Sequence, residues 1–384
     1  MSYQMKIPAN LYGGEGSITQ LKNILKDESA NKVIIFTDKG IKETGLLDLL
    51  YKILDETDIE YFVYDDIKPE PSYKDIEKVQ QEAQDYKADM IIGFGGGSVM
   101  DTAKVYSVLF DASYNMKDLL DTPSIAKKNI KTIMIPTTCG TGSEATCNAI
   151  VAVPEEQTKK GIVNNVMIPD YVILDPQMIR KLPQQIIAAT GVDALAHAVE
   201  CFTSNKATPL SDNFALEAAK LIFGNIREAY NEPDNMKAKE AMMLGAFYGG
   251  VAITGSGTTA VHALSYPLGG KYHISHGVSN AILFTVVMEF NKEACADQLA
   301  EICDAIHPEY SNKSVNDKAQ YVIDQIVDVV KVTNIPVNLN EFGIQIEDLE
   351  FLVKAGSEQR RLLDNNRKEL SKKDIEEIYL KVIR

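Results

Sequence analysis

The sequence predicts an α/β domain built on a parallel sheet, followed by an all-α domain. Three observations carry that reading. The 384 residues exceed one ordinary core and suit two. The first half alternates short apolar runs with helical patterns, the rhythm of strands joined by crossover helices. After about Pro183 the alternation stops, and long stretches of helical period follow. The expected domains are therefore residues 1–183 and 184–384.

Taken in order, VIIFTD (33–38) reads as a buried strand, and GIKETGLLDLLYKILD (40–55) spaces apolar residues at helical intervals. YFVYDD (61–66) is a second strand. SYKDIEKVQQEAQDYKA (72–88) is a polar-faced helix with Ser72 as its N-cap. ADMIIGFGGGS (88–98) is a third strand ending in glycines, and TIMIPTT (132–138) is a fourth. In the second half, 209–230, 237–255, 315–333 and 346–356 carry helical periodicity with few β-branched runs. There is no internal repeat. A cleft between two such domains is the expected ligand site.

Composition removes several function classes. Hydrophobic content of 45% and charged content of 24% are ordinary for a soluble globular chain. There is no apolar run of membrane-spanning length. The opening MSYQMKIPANLYGG lacks the blocks of a signal peptide. The expectation is a cytoplasmic protein with no membrane partner. A net charge of −15 without a Lys/Arg stripe argues against nucleic acid as a partner. The five cysteines form no C-x-x-C pair, so neither a disulfide framework nor a zinc knuckle follows. Cys139 and Cys147 read as packing or loop residues.

GFGGGSVMDTAK (93–104) ends a strand and opens a helix. Glycines at such a turn let backbone N–H groups approach a phosphate, and the helix N-terminus adds its positive end. Ser98 adds a hydroxyl. The spacing is neither G-x-G-x-x-G nor a P-loop, so a tight turn without a ligand stays open as the alternative. Asp38, at the end of the first strand, could accept adenosine ribose hydroxyls and repel a 2′-phosphate. It precedes the glycines by about sixty residues, the reverse of the usual fingerprint order. On its own it reads better as the cap of a helix beginning at Lys39.

ATGVDALAHAVECF (189–202) holds Asp193 and His197 at i and i+4, one turn apart on a single helix face. VHALSYPLGGKYHISHG (261–277) holds three of the chain's five histidines. His262 and His276 flank Gly269 and Gly270, and a glycine turn there would fold the two histidines together. Asp193, His197, His262 and His276 would then give one carboxylate and three imidazoles, a set suited to Fe²⁺ or Zn²⁺ with room for a substrate oxygen. Taken singly, each histidine reads as a satisfied core or turn residue, and His307 is left in that class.

These stretches, GGGSVMDTAK (95–104), IPTTCGTGSEAT (135–146), GVDALAHAVE (191–200) and VHALSYPLGGKYHISHG (261–277), resemble the signatures of iron-containing alcohol dehydrogenases. The likeness runs from YGGEGSI (12–18) to the helical C-terminus. It implies that family's dehydroquinate synthase-like architecture, with NAD in the cleft. By motif position it implies Asp193, His197, His262 and His276 as metal ligands and Gly95, Gly96, Gly97 and Ser98 as the pyrophosphate turn. Thr137, Thr138, Thr146 and Asn148 line the nicotinamide and ribose side, Lys160 contacts the ribose, and Asp38 selects NAD over NADP. Where several relatives have a second histidine four residues after the first, this chain has Tyr266. Tyr266 and His273 are the candidates for moving the alcohol proton. Glu70 stands where many relatives have asparagine, so its loop is not assigned to the cofactor. A homodimer or larger homo-oligomer is implied.

The function this implies is hydride transfer between a small primary alcohol or diol and NAD(H), with the metal polarising the substrate oxygen. Zn²⁺ would support the same step as Fe²⁺. Two rivals are weighed: an NAD- and metal-dependent sugar-phosphate cyclase or polyol dehydrogenase of the same fold, and a metal-stabilised scaffold without activity. The complete ligand set and glycine turn count against the scaffold.

Overall fold

The structure is a computed structural model and describes residues 3–383. Its first half is a six-stranded sheet of β1 (Asn10–Gly13), β2 (Lys32–Phe36), β3 (Glu60–Tyr64), β4 (Met90–Gly95), β5 (Lys131–Pro136) and β8 (Tyr171–Leu174). The order is β1-β8-β5-β4-β2-β3, and every neighbouring pair is parallel. β2, β4 and β5 are buried along almost their whole length. That is why they read as continuous apolar runs: helices cover both faces of a parallel sheet. Side chains alternate between the faces, so Val33, Ile35 and Ile92 join one core while Ile34, Phe36 and Ile91 join the other.

The topology explains the reversed order of Asp38 and the glycines. β2 continues into β3 on one side, whereas β4, on the other side of β2, continues toward β5. β2 and β4 are therefore the switch point, where ligands bind outside the carboxyl ends of an open α/β sheet. Phe36 pairs with Gly93, so the loops that follow the two strands are neighbours in space.

Three local expectations change. The helical stretch 40–55 breaks into Lys39–Glu43 and Leu47–Asp55, because Gly45 takes a left-handed φ of 77°. The helix expected over 72–88 is Tyr73–Ala83, opened by a Ser72–Asp75 capping box and closed by a 3₁₀ turn. An unforeseen antiparallel hairpin, β6 (Asn148–Val153) and β7 (Thr158–Val163), projects beside the sheet.

From Gln184 on, the chain is helical, with Gln184–Thr203, Pro209–Asn231 and Met236–Ser256 sharing one large apolar core. Gln184–Thr203 is long and apolar enough to cross a membrane, but 83% of that window is buried inside the protein. Its composition is that of a core helix.

Gly269 and Gly270 do not form the expected turn. They lie inside the helix Ala260–Tyr272, and the chain reverses at His273, whose φ is 56°. The glycines serve close packing instead. A Cβ on Gly270 would lie 2.5 Å from the Thr158 Cα at the start of β7. The next helix, His276–Asn291, starts against the helix Gln184–Thr203, where a Cβ on Gly277 would lie 2.2 Å from the Ala189 carbonyl oxygen. Glycine at 277 thus lets His276 reach the face that carries Asp193 and His197.

Candidate active site

Asp193 and His197 come from the helix Gln184–Thr203, His262 from Ala260–Tyr272, and His276 from the first position of His276–Asn291. One ligand atom from each lies within 4.8 Å of all the others. The Asp193 Oδ1 is 3.9 Å from His197 Nε2, 3.6 Å from His262 Nε2 and 3.6 Å from His276 Nε2. These gaps are too long for hydrogen bonds. They match donors sharing one ion, since bonds of about 2.0–2.2 Å in a tetrahedral site put donors roughly 3.4 Å apart. A buried carboxylate facing three imidazoles, with His276 alone partly open, fits a divalent metal.

The electrostatics of the cluster point the same way. Burial opposes the charge on Asp193, but His197, His276 and His262 outweigh it and hold the carboxyl well below the usual range. Burial pushes His276 down to about 3 and also lowers His197, so both present neutral, metal-competent imidazoles. Burial also works against charge on His262, yet Glu200 and Asp193 prevail and push it up to about 9.

Two residues that complete the cluster escape motif reading. Glu200 accepts from His262 Nδ1, from the Thr259 hydroxyl at 2.6 Å and from the Val261 N–H at 2.8 Å. The signal was present, since Glu200 lies three residues after His197, on the same helix face. A carboxylate behind a ligand histidine fixes its tautomer and turns the other nitrogen toward the metal. Asn280, one turn after His276, places its amide nitrogen 2.7 Å from Asp193 Oδ1 and 3.1 Å from His262 Nε2. We expect Glu200→Gln to bind the metal about 10- to 100-fold more weakly. Titration with Fe²⁺ or Zn²⁺ checks it, and unchanged affinity would remove Glu200 from the support of the site.

Two adjoining cavities meet at the glycine turn. One contains His197, His262, His276, Tyr266, Thr146 and Asn148; the other contains Asp38, Gly96, Thr137 and Thr138; Gly97 and Ser98 border both. A dinucleotide has this division, with a pyrophosphate between two nucleoside halves. Gly96 caps the helix Gly97–Leu109, so its N-terminus faces the junction. The Thr137 hydroxyl is buried without a partner at the second cavity. Asp38 lines that cavity and also caps the helix Lys39–Glu43, accepting from the Ile41 N–H at 2.9 Å. Its two readings therefore coexist.

Other expected residues fall elsewhere. Gly95 is the buried end of β4 and lines neither cavity. Thr146 serves partly as scaffold, accepting from Lys104, a fully buried amine that also bonds the Ser143 carbonyl. His273 is exposed at a helix C-cap and lines neither cavity, so the relay role expected of it has no geometric support. Lys160 also points away, paired with Glu156 at 2.5 Å. Its neighbour Lys159 enters the cavity and pairs with Glu70 at 2.8 Å. The reason is register: β6 residues Asn148, Ile150 and Ala152 face the cavity, and Ala152 pairs with Lys159. The loop left unassigned at Glu70 also belongs to the site, since Glu70 and Pro71 line the metal cavity. The Ser98 hydroxyl holds that loop through the Glu70 N–H at 3.0 Å.

Comparison with known proteins agrees with this geometry. Residues 8–176 match the iron-containing alcohol dehydrogenase family, and residues 187–383 match that family's C-terminal domain. The chain is 36% identical to long-chain-alcohol dehydrogenase 1 of Geobacillus thermodenitrificans, over 95% of this chain and 93% of that one. The solved structure of a 1,3-propanediol oxidoreductase covers 100% of both chains, with a TM-score of 0.95 and 26% identity. A sulfoacetaldehyde reductase from Bifidobacterium kashiwanohense in complex with NAD⁺ superposes with a TM-score of 0.89 at 27% identity, covering 100% of this chain and 99% of that one. The chain belongs to the iron-containing alcohol dehydrogenase family and is an NAD-linked, metal-dependent oxidoreductase acting on alcohols and aldehydes.

Proposed function

We propose that this enzyme interconverts a small primary alcohol or diol and its aldehyde at the cleft between residues 1–183 and 184–384. The observation that carries the reading is the convergence of the Asp193 cluster and the glycine turn on one cavity. In it, Asp193, His197, His262 and His276 hold a divalent metal, Fe²⁺ or Zn²⁺. The N–H groups at Gly96, Gly97 and Ser98 receive the pyrophosphate, and Asp38 receives the adenosine ribose. Thr137 and Thr138, expected on the nicotinamide side, share the cavity of Asp38 and so line the adenosine side instead, while Thr146, Asn148 and Lys159 line the nicotinamide side.

The bound metal supplies Lewis-acid polarisation of the substrate oxygen, and NAD supplies the hydride acceptor. The chain's own work is to orient and to move a proton. Glu200 holds His262 in one tautomer. Tyr266 is buried against the metal cavity, its ring 6.3 Å from that of His276. Burial raises its pKa, and Arg361 beside it works the other way. Its hydroxyl therefore stays protonated at neutral pH and takes over the proton role at the position where relatives carry histidine. Tyr266→Phe is expected to lower kcat on the order of a hundredfold and to change the solvent isotope effect. An unchanged isotope effect would reduce Tyr266 to a shaping residue.

All five cysteines are buried and free, which suits a reducing compartment such as the cytoplasm. β1 is an edge strand with Leu11 exposed, and Ile7 before it is exposed as well, so this edge is where a homodimer or larger oligomer would form. The test of the whole reading is turnover of a panel of alcohols, diols and aldehydes with NAD(H) and NADP(H) after loading with Fe²⁺ or Zn²⁺. Phosphate release from a sugar phosphate without net NADH would favour the cyclase reading instead.

A further inference from the structure

The metal cavity carries an unbalanced charge on its helical side. Apart from the metal ligands, four charged side chains line it: Glu70, Asp101, Lys159 and Arg361. Three are compensated. Glu70 pairs with Lys159 at 2.8 Å, and Asp101 pairs with the buried Lys104 at 2.9 Å. Asp101 also accepts from the Ile150 N–H at 2.8 Å. Arg361 is different: among the described residues no carboxylate lies within 4.0 Å of its guanidinium.

A second feature seats Arg361 against the cavity. β7 has a glycine beneath it: a Cβ on Gly161 would lie 2.8 Å from Arg361 Nη2 and 3.3 Å from its Cζ. Gly161 pairs with Ile150, which lines the cavity, so the guanidinium spans from the helical wall to the cavity face of the hairpin. Tyr266 adjoins it. Any side chain at 161 would push the guanidinium off this seat.

Resting on the dehydrogenase reading above, we infer that Arg361 anchors an oxyanion at the far end of the substrate. The substrate is then a short ω-hydroxy acid, or its hydroxysulfonate counterpart, together with the matching aldehyde. Arg suits this task because its planar fork meets a carboxylate or sulfonate bidentately. In the reductive direction, hydride from NADH adds to the carbonyl carbon and the oxygen takes one proton, giving alcohol and NAD⁺. The anionic end takes no part in bond changes.

The test compares succinate semialdehyde and sulfoacetaldehyde with butanal, using metal-loaded enzyme and NADH. For the wild type, at least one anionic aldehyde should exceed butanal in kcat/KM, and which one does separates carboxylate from sulfonate. Arg361→Gln should lower that anionic-to-neutral ratio about tenfold to a hundredfold, mainly through KM, and Arg361→Lys should recover part of it. Calorimetry of succinate or ethanesulfonate with the NADH-loaded protein reads the same contact without turnover and should show a parallel loss. An unchanged ratio, equal losses for all three aldehydes, or unaltered oxyanion binding in Arg361→Gln would overturn the inference. If the wild type reduces none of the three, the substrate reading fails, and the calorimetric comparison alone then decides whether Arg361 is an oxyanion anchor.

Discussion

Asp193→Asn should purify without stoichiometric metal and lose on the order of a thousandfold in kcat/KM, the several kcal/mol expected of a lost Lewis acid. Asp193 is the sole carboxylate among the four proposed ligands, and its Oδ1 faces all three imidazole Nε2 atoms. An amide of the same shape keeps the packing but removes the negative charge that makes a buried dication tolerable. Metal content by elemental analysis and NADH binding by fluorescence separate the outcomes. Retained NADH binding with lost metal is expected, because the glycine turn belongs to other elements. Full metal content with full activity would remove Asp193 from the site. The cluster also makes a pH prediction for the wild type. His262 is pushed up to about 9 in the metal-free protein, so below that pH metal must displace a proton from it. Apparent affinity should therefore rise with pH toward about 9 and then level off.

Asp38→Ala should raise the ratio of kcat/KM with NADPH to that with NADH about a hundredfold. A carboxylate beside a 2′-phosphate places like charges together, which costs several kcal/mol. Asp38 lines the second cavity together with Lys39, whose ammonium now pairs with Asp66 at 2.5 Å. Lys39 keeps that partner when Asp38 is removed, so the gain with NADPH comes from relieved repulsion alone. The change also removes the cap on the Ile41 N–H, so about 1 kcal/mol of stability should be lost. Steady-state kinetics with both cofactors and a thermal melt read the two effects separately. If the wild type uses NADPH and NADH equally, Asp38 is only a cap.

How legible the site was depended on distance along the chain. Asp193 and His197 share one helix face, and the glycine run ends one strand, so both features sit within a few residues of their partners. Arg361 lies about a hundred residues beyond His262 and carries no local pattern. The expected lysine is Lys160, but the β6–β7 register turns Lys159 into the cavity, since neighbouring residues of a strand face opposite sides. Local propensity predicts a turn at the glycines 269 and 270. Packing of Gly269 against Lys159 and of Gly270 against Thr158 overrides that propensity, and both stay helical.

The sequence by itself determined the class of each half, because short continuous apolar runs and period-3.6 burial are written into the order of apolar residues. It also determined the chemistry available for a metal and a phosphate, because the donor types cluster in short motifs. Only the tertiary structure decided which of those donors meet. Asp38 reaches the glycine turn because β2 pairs with β4, and His276 reaches Asp193 because Gly277 lets two helices nearly touch. Arg361 meets the metal cavity because Gly161 leaves room for a guanidinium. Such meetings depend on strand order and on the closeness of backbone packing, which side-chain periodicity along one segment does not encode.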